Sequence, residues 1–297
     1  VVDAFGGSVA SGLSVLLIAW LFGSLIVSMS SPVLKEQVVG SIVWQAVDEA
    51  IPDSVRALQK PFKDFVETSE WPQVITSIGG QNVPPPDEGV LQGSPALARA
   101  RKAIVKIEGT APSCRKHIEG TGFVYARHRV MTNAHVVAGV TEDLKVIDST
   151  GKRHAATVVH YNPDKDVAVL FVPELQVPAL RFDFTAERGE DAIIAGYPKG
   201  RGFTPLAARI RTKLRAESDD IYNRRKVERD VYVIRGKVQP GNSGGPLLST
   251  EGRVYGMIFA AATDQEETGY ALTAREILPD AKKASAAVAR VGTQECD

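Results

Sequence analysis

From Ala103 to Ala261 the chain is cut into short runs of β-branched, aliphatic and aromatic residues: AIVKIEG, GTGFVYA, RVMTNA, LKVID, ATVVHY, VAVLFV, AIIAGYP, VYVIRG, PLLS and RVYGMIFAA. Glycine, proline, asparagine and aspartate divide them. Runs this short cannot each build a helix of ordinary length, whereas strands need no more. The region is therefore expected to be mainly β, a sandwich or barrel, and it is long enough for two small barrels packed together. One capped helix is expected after it, Thr273 to Val288, with Pro279 breaking or restarting it because proline removes a backbone donor.

The front of the chain has another texture. No charged residue occurs from Ala4 to Leu34, and Val9 to Met29 is almost wholly apolar. An apolar run of about 20 residues matches the thickness of a bilayer core. A secretory signal would need a basic start and a shorter apolar stretch, and here Asp3 lies upstream. Residues 1–36 are thus expected to hold a transmembrane helix, with the membrane contacted through residues 9–29. Gly12, Gly23 and Ser24 are small enough for close packing on neighbouring helices of a larger membrane region. Residues 37–78 carry helical periodicity, with Ile42, Val43, Ala46, Val47 and Ala50 on one stripe, and read as a helical stalk. An amphipathic element lying on the membrane is the other reading. Residues 79–93, containing GGQNVPPPDEG, read as a stiff Pro/Gly linker, and residues 94–297 as the β domain. Lys plus Arg and Asp plus Glu both number 35. With no polybasic run, nothing favours nucleic acid as a partner.

QPGNSGGPLL, residues 239–248, holds one serine among three glycines. If Ser243 is a nucleophile, it needs a general base and a group orienting that base. It also needs donors where negative charge develops on a carbonyl oxygen. The N–H groups of Gly241 and Ser243 can supply those donors, while Gly244 and Gly245 leave room for a substrate backbone. Among five histidines, His117, His128 and His154 lie in polar stretches and read as surface residues. His160 ends an apolar strand and can be either. His135, in MTNAHVV, follows a buried-type strand among small residues and is either a satisfied core residue or the base. The orienting acid is Asp164 or Asp166, both in NPDKDVAVLFV. Asp166 is preferred because it opens an apolar strand and would be rigidly held; Asp164, after Pro163, reads as a turn residue.

Cys114 and Cys296 sit in neither a metal-ligand nor a redox spacing. They are either two unrelated buried thiols or a disulfide joining the start of the β domain to its end. The second reading requires an oxidising compartment. The charged stretch 200–230 reads as a solvated hairpin, the alternative being a regulatory or self-cleaved loop.

GTGFV, TNAHVV, DVAVL and GNSGGPL occur in the order His, Asp, Ser. From about residue 100 onward the chain resembles the chymotrypsin-like serine proteases, in particular their bacterial high-temperature-requirement branch. The whole chain is similar to mycobacterial acid-resistance membrane serine proteases, in which a colicin-V-production-like membrane region precedes the protease. The resemblance implies two six-stranded antiparallel barrels and a serine endopeptidase with His135 as base, Asp166 as orienting acid and Ser243 as nucleophile. It implies an oxyanion hole at Gly241 and Ser243. Tyr255 and Gly256 would edge the substrate cleft, and Ala260, Ala261 and Gly269 would shape the specificity pocket. Lys237 occupies the place where trypsins carry an aspartate, so a preference for basic substrates is not implied. The short tail after Glu276 leaves no place for a PDZ domain. No metal or cofactor is required, and the expected partner is a protein or peptide substrate, such as a cell-wall hydrolase. The location would be the cell membrane, with the protease on the extracytoplasmic, periplasmic side, and the role resistance to acid or oxidative stress. An unperturbed histidine base fails below about pH 6.5, so acid activity would need a retuned His135, a conformational trigger or self-cleavage. A catalytically silent peptide sensor or chaperone is the alternative reading.

Overall fold

A computed structural model describes residues 82–262 and 267–296, together with 41 and 46–47. The chain divides into two compact units, Val1–Ser69 and Glu70–Asp297. The apolar run 9–29 and nearly all of the stalk lie outside the described residues. Among the described residues, no helix is long and apolar enough to cross a membrane.

Among the described residues, thirteen strands build the second unit in two bodies. β1 (Ile104–Ala111), β2 (Lys116–Ala126), β3 (Arg129–Thr132), β4 (Glu142–Ile147), β5 (Arg153–Ala155), β6 (Thr157–Asn162) and β7 (Val167–Phe171) form a seven-stranded sheet. Its order is β5-β4-β1-β2-β3-β7-β6. β8 (Asp191–Gly196), β9 (Thr204–Asp219), β10 (Lys226–Arg235), β11 (Pro246–Leu248), β12 (Val254–Ala261) and β13 (Thr268–Thr273) close a six-stranded barrel, in the order β10-β13-β12-β11-β8-β9. Neighbouring strands pair antiparallel in both bodies.

The second body matches the expected six-stranded barrel, but the first does not. It has seven strands, and the two at the ends of the order, β5 and β6, follow one another in the chain. The reason is local: β5 and β6 are separated by Ala156 alone. One residue cannot turn the chain back into a hairpin, so the two strands cannot pair with each other and go to opposite edges.

Each body has its own apolar filling, with Val105, Ile107, Val146 and Leu170 in the sheet and Ile194, Ile210, Ile234 and Leu247 in the barrel. A third cluster is shared. Ile104, Phe123, Met131 and Val169 of the sheet meet Ile193, Val233, Met257 and Leu272 of the barrel, joined by Leu97 and Ile277 from two flanking helices. This shared core fixes one body against the other, and the loops at its rim can therefore carry chemistry that needs residues from both.

The helices are short and capped. In α1 (Pro95–Arg101) the Ser94 side chain accepts from Leu97 N–H. In α2 (Ala274–Lys283) the Thr273 hydroxyl accepts from Glu276 N–H at 3.1 Å. α2 runs through Pro279 rather than breaking there, and it ends at Lys283 rather than Val288. Burial of Ile277 and Ala281 outweighs the one backbone bond lost at Pro279. The last turn is stopped by the sheet: Tyr125 Oη donates to the Ala281 carbonyl (3.1 Å), and Arg129 Nε to that of Ala284 (3.0 Å).

The proline-rich segment does not act as a free spacer from Asn82 onward. Val83 is buried, and its carbonyl accepts from Arg235 at 2.8 Å. Asp87 N–H donates to Asp191 at 3.2 Å. The segment is strapped to the outside of the barrel by β8 and β10. At the far end of the chain, Cys114 and Cys296 form a disulfide across 182 positions. The tail before Cys296 is laid over the sheet: Val291 N–H donates to the Val158 carbonyl and Gly139 N–H to that of Thr293.

Candidate active site

The glycine-rich turn enters from the barrel side, just before β11. Gly241 has φ +88° and Gly244 φ +79°, a region closed to side chains for steric reasons. Space is closed as well. A Cβ on Gly241 would lie 2.5 Å from the Tyr197 carbonyl oxygen, and one on Gly244 would lie 2.2 Å from both the Thr121 carbonyl oxygen and Thr132 Oγ1. The glycines are therefore set by close packing behind the turn, where a clear path for substrate had been the expected reason for Gly244.

What is packed there aims the turn. Lys199 N–H donates to the Pro240 carbonyl at 2.7 Å, and Gly245 N–H to that of Asn242 at 2.9 Å. In a trans peptide the N–H points opposite to the carbonyl, so these two bonds direct the Gly241 and Ser243 N–H groups the other way. Among the described residues neither N–H has an acceptor. Thr121, fully buried in β2, holds the neighbouring carbonyls: its N–H donates to Ser243 O at 2.9 Å and its hydroxyl to Gly241 O at 2.6 Å. The same hydroxyl accepts from Tyr197 N–H at 3.0 Å. Ser243 itself is nearly buried, at 5 % exposure.

His135 and Asp166 enter from the sheet side. His135 begins a one-turn 3-10 helix, His135–Val137, directly after β3. Asp166 sits immediately before β7 with φ +55°, a left-handed geometry that aspartate tolerates better than most side chains. Its carboxylate accepts from His135 N–H through Oδ1 (3.0 Å) and lies 2.8 Å from His135 Nδ1 through Oδ2. A carboxylate can only accept here, so the ring proton belongs on Nδ1. Asn133 Nδ2 donates to the Asp166 carbonyl at 2.9 Å and fixes the backbone. Asp166 is 3 % exposed.

Asp164 has a different partner. It accepts from Arg225 Nε at 3.0 Å, and its backbone carbonyl accepts from the buried Arg229 Nε at 2.9 Å. Both arginines come from the β9–β10 hairpin, which covers the charged stretch read as a solvated hairpin. The hairpin does form, but its tip is not merely solvated. Ile221 packs on Ala134 and Ala138 beside His135, and Tyr222 Oη lies 2.6 Å from Tyr161 Oη.

The remaining candidates divide. Ala261 pairs with Gly269 across β12 and β13, and a Cβ on Gly269 would strike Val238; Ala260 lies in the shared core. Tyr255 and Gly256 are not at the cleft. Tyr255 turns into the barrel, with its hydroxyl donating to Glu190 at 3.1 Å, while Gly256 is hemmed in by the Leu272 carbonyl. It is Ile258, three positions from Tyr255, whose N–H and carbonyl bond the glycine turn at Gly245 and Gly244. His154, expected at the surface, is buried on Asp148 at 2.8 Å, because the middle residue of a three-residue edge strand faces inward. His160 pairs with Asp280 of α2 at 2.6 Å. Burial tends to raise the Asp280 carboxyl, and hydrogen bonds from His160 and Asn162 outweigh it, holding it below the usual range. Thr121, Thr132, Asn133 and Lys199 carried no sequence signal of their own. Among the described residues no cluster of side chains could hold a metal ion.

A profile of the trypsin-like peptidase domain matches residues 120–257. The serine protease Rv3671c of Mycobacterium tuberculosis is 42 % identical over 288 residues, covering 95 % of this chain and 72 % of that protein. The chain belongs to the trypsin-like serine proteases. The crystal structure of the active form of the Rv3671c protease matches with a TM-score of 0.71 at 44 % identity, over 75 % of this chain and 98 % of that one. Its inactive form matches with a TM-score of 0.61 over 69 % of this chain and 100 % of that one. The HtrA-type protease AlgW with a tripeptide, at 23 % identity, has a TM-score of 0.57 over 64 % of this chain and 62 % of that one, and so shares the fold. The protease is thus a serine endopeptidase, mainly β, of the chymotrypsin-like architecture.

Proposed function

We propose that Ser243, His135 and Asp166 are the catalytic residues of this protease, with the Gly241 and Ser243 N–H groups as its oxyanion hole. The observation that carries this reading is the His135–Asp166 pair at 2.8 Å, together with a serine turn whose Gly241 and Ser243 N–H groups bond no acceptor among the described residues. In the reaction, Ser243 Oγ attacks a peptide carbonyl while His135 Nε2 takes its proton. The oxyanion is received by the two N–H groups. His135 then protonates the leaving amine, and water repeats the sequence on the acyl-enzyme. Asp166 stays ionised and stabilises the imidazolium. No metal or organic cofactor enters this chemistry.

The apolar run 9–29 supports anchoring in a membrane, and the Cys114–Cys296 disulfide supports an oxidising, extracytoplasmic side. The substrates on that side are cell-envelope proteins, cell-wall hydrolases among them. Clearing these under acid or oxidative stress, with self-cleavage as a trigger, is the role we assign. Labelling by a fluorophosphonate tests the chemistry: wild type should react and Ser243→Ala should not. A wild-type protein that resists the label under every condition, yet still binds extended peptides, would make the cleft a silent peptide sensor instead. Protease protection in sealed vesicles tests the side, with the β domain expected on the non-cytoplasmic face.

A further inference from the structure

Arg229 of β10 is 3 % exposed, and arginine does not shed its proton inside a protein. A buried guanidinium is ordinarily matched by a carboxylate in direct contact. Here its hydrogen bonds go to neutral groups instead. Nε donates to the Asp164 carbonyl at 2.9 Å, and Nη1 to the Asp219 carbonyl at 3.1 Å and to Ser218 Oγ. Nη2 is screened from solvent and bonds nothing among the described residues. The charge is therefore balanced from a short distance away or not at all.

Four carboxylates act on it. Burial pushes the guanidinium down from its usual range, and Asp166, then Asp220, Glu276 and Asp164, draw it back up. Three of these four have a cation of their own. Arg225 holds Asp164 at 3.0 Å and reaches Asp220 at 3.9 Å, and Lys165 holds Glu276. Asp166 differs. Among the described residues its one ion-pair partner is His135 at 2.8 Å, and a histidine serving as base is neutral until it takes a proton. Asp166 is also 3 % exposed. In the resting enzyme, then, a buried carboxylate lacks a charged partner in contact, and so does a buried guanidinium nearby.

The cation is held where both parts of the site meet. The Asp164 carbonyl it binds lies two residues before Asp166. Its guanidinium lies 5.9 Å from the centre of the Phe259 ring, and the neighbouring Ile258 bonds the glycine turn at Gly244 and Gly245.

We propose that Arg229 is a positioning residue of this protease: a permanent buried cation that acts on His135 through Asp166, supplying the counter-charge of that carboxylate while His135 is neutral. This rests on Asp166 being the orienting acid. Without the cation, a proton on the His135–Asp166 pair is bound more readily, so the base is lost at a higher pH than in wild type.

Two measurements on the full chain test it. The first is the pH profile of kcat/KM on a chromogenic peptide. Arg229→Gln keeps an amide donor for the Asp164 carbonyl but no charge, whereas Arg229→Lys keeps the charge. The acid limb should move up by about one pH unit in the glutamine variant, a loss of about tenfold in kcat/KM below the limb. In the lysine variant it should stay near its wild-type position. An unmoved limb in the glutamine variant overturns the proposal, and so does a lysine variant shifted as far as the glutamine one. The second is a double-mutant cycle with Asp166→Asn, read as urea midpoints. Arg229→Gln should lower the midpoint less in the Asp166→Asn background than in wild type, because the carboxylate it strands is already gone. Equal losses in the two backgrounds overturn the proposal. If Arg229→Gln alone yields no folded protein, adding Asp166→Asn should recover it, and failure of that recovery overturns it too. The urea cycle reads the Arg229–Asp166 pair without turnover, while fluorophosphonate labelling reads Ser243, so the two proposals fail separately.

Discussion

Replacing Thr121 by valine tests whether the glycine turn is held from behind. The change keeps shape and removes one hydroxyl. That hydroxyl makes two fully buried bonds, donating to the Gly241 carbonyl at 2.6 Å and accepting from Tyr197 N–H at 3.0 Å. Each group stranded by its loss costs about 1–3 kcal/mol, so Thr121→Val should lose roughly 2–6 kcal/mol of stability if both remain unpaired. The turn can recover part of this by rotating the Gly241–Asn242 peptide, and such a rotation misdirects the adjacent Gly241 N–H. Removing an oxyanion donor lowers kcat by about 10²–10³-fold. A misaimed one should therefore cost on the order of 10–100-fold in kcat, with KM within about twofold. The assay is steady-state cleavage of a chromogenic peptide, alongside urea unfolding, with Thr121→Ser as the hydroxyl-retaining control. A Thr121→Val protein with the expected loss of stability but wild-type kcat would refute the reasoning. So would a serine variant as impaired as the valine one.

The rest concern single sites. Asp166→Asn should lower kcat about 10⁴-fold by presenting the wrong imidazole tautomer, whereas Asp164→Asn should keep kcat within about tenfold and mainly loosen the hairpin, seen as faster amide exchange at Asp220–Arg225. Gly244→Ala places a Cβ 2.2 Å from two oxygens at φ +79°, so soluble protein should be scarce and inactive on any active-site titration. Opening the disulfide by Cys114→Ser removes a constraint on a loop of 182 positions, worth about 5 kcal/mol in the chain-entropy model, and should show as a lower urea midpoint without a change in kcat. Burial tends to raise the Asp148 carboxyl, yet bonds from Thr150, His154 and the backbone N–H of Thr150 and Lys152 outweigh it and bring its pKa down to about 2. A folded pKa below the unfolded value of 3.8 means stability present above pH 3.8 and lost as pH falls toward 2. Asp148→Asn should flatten the stability change across that window in urea titrations.

The sequence exposed what depends on local pattern. Alternating and continuous apolar runs mark the strands, and the glycines around Ser243 mark a turn that no other residue could make. The seven-stranded sheet was not legible, since closure depends on the single-residue link at Ala156, a steric fact about pairing rather than a property of either run. Tyr255 was misplaced for a related reason: a fully buried strand shows no alternation, so nothing in RVYGMIFAA tells which residues face the barrel and which the cleft. Asp164 and Asp166 were separable only by context, and Arg225 and Arg229, distant in sequence, make the difference. Thr121 stayed silent because its task is done half by backbone, which sequence does not show.

The β9–β10 hairpin belongs to the barrel, yet its tip holds the loop that carries Asp166 and packs beside His135. Geometry at the histidine therefore depends on the second body being folded and seated. A chain caught midway, with its sheet formed and its barrel still open, would have serine, histidine and aspartate but no properly braced acid. Activity is thereby withheld until assembly is complete. Conversely, turnover becomes a reporter of docking, so two halves of the chain cut between β7 and β8 should regain activity only as fast as they find each other.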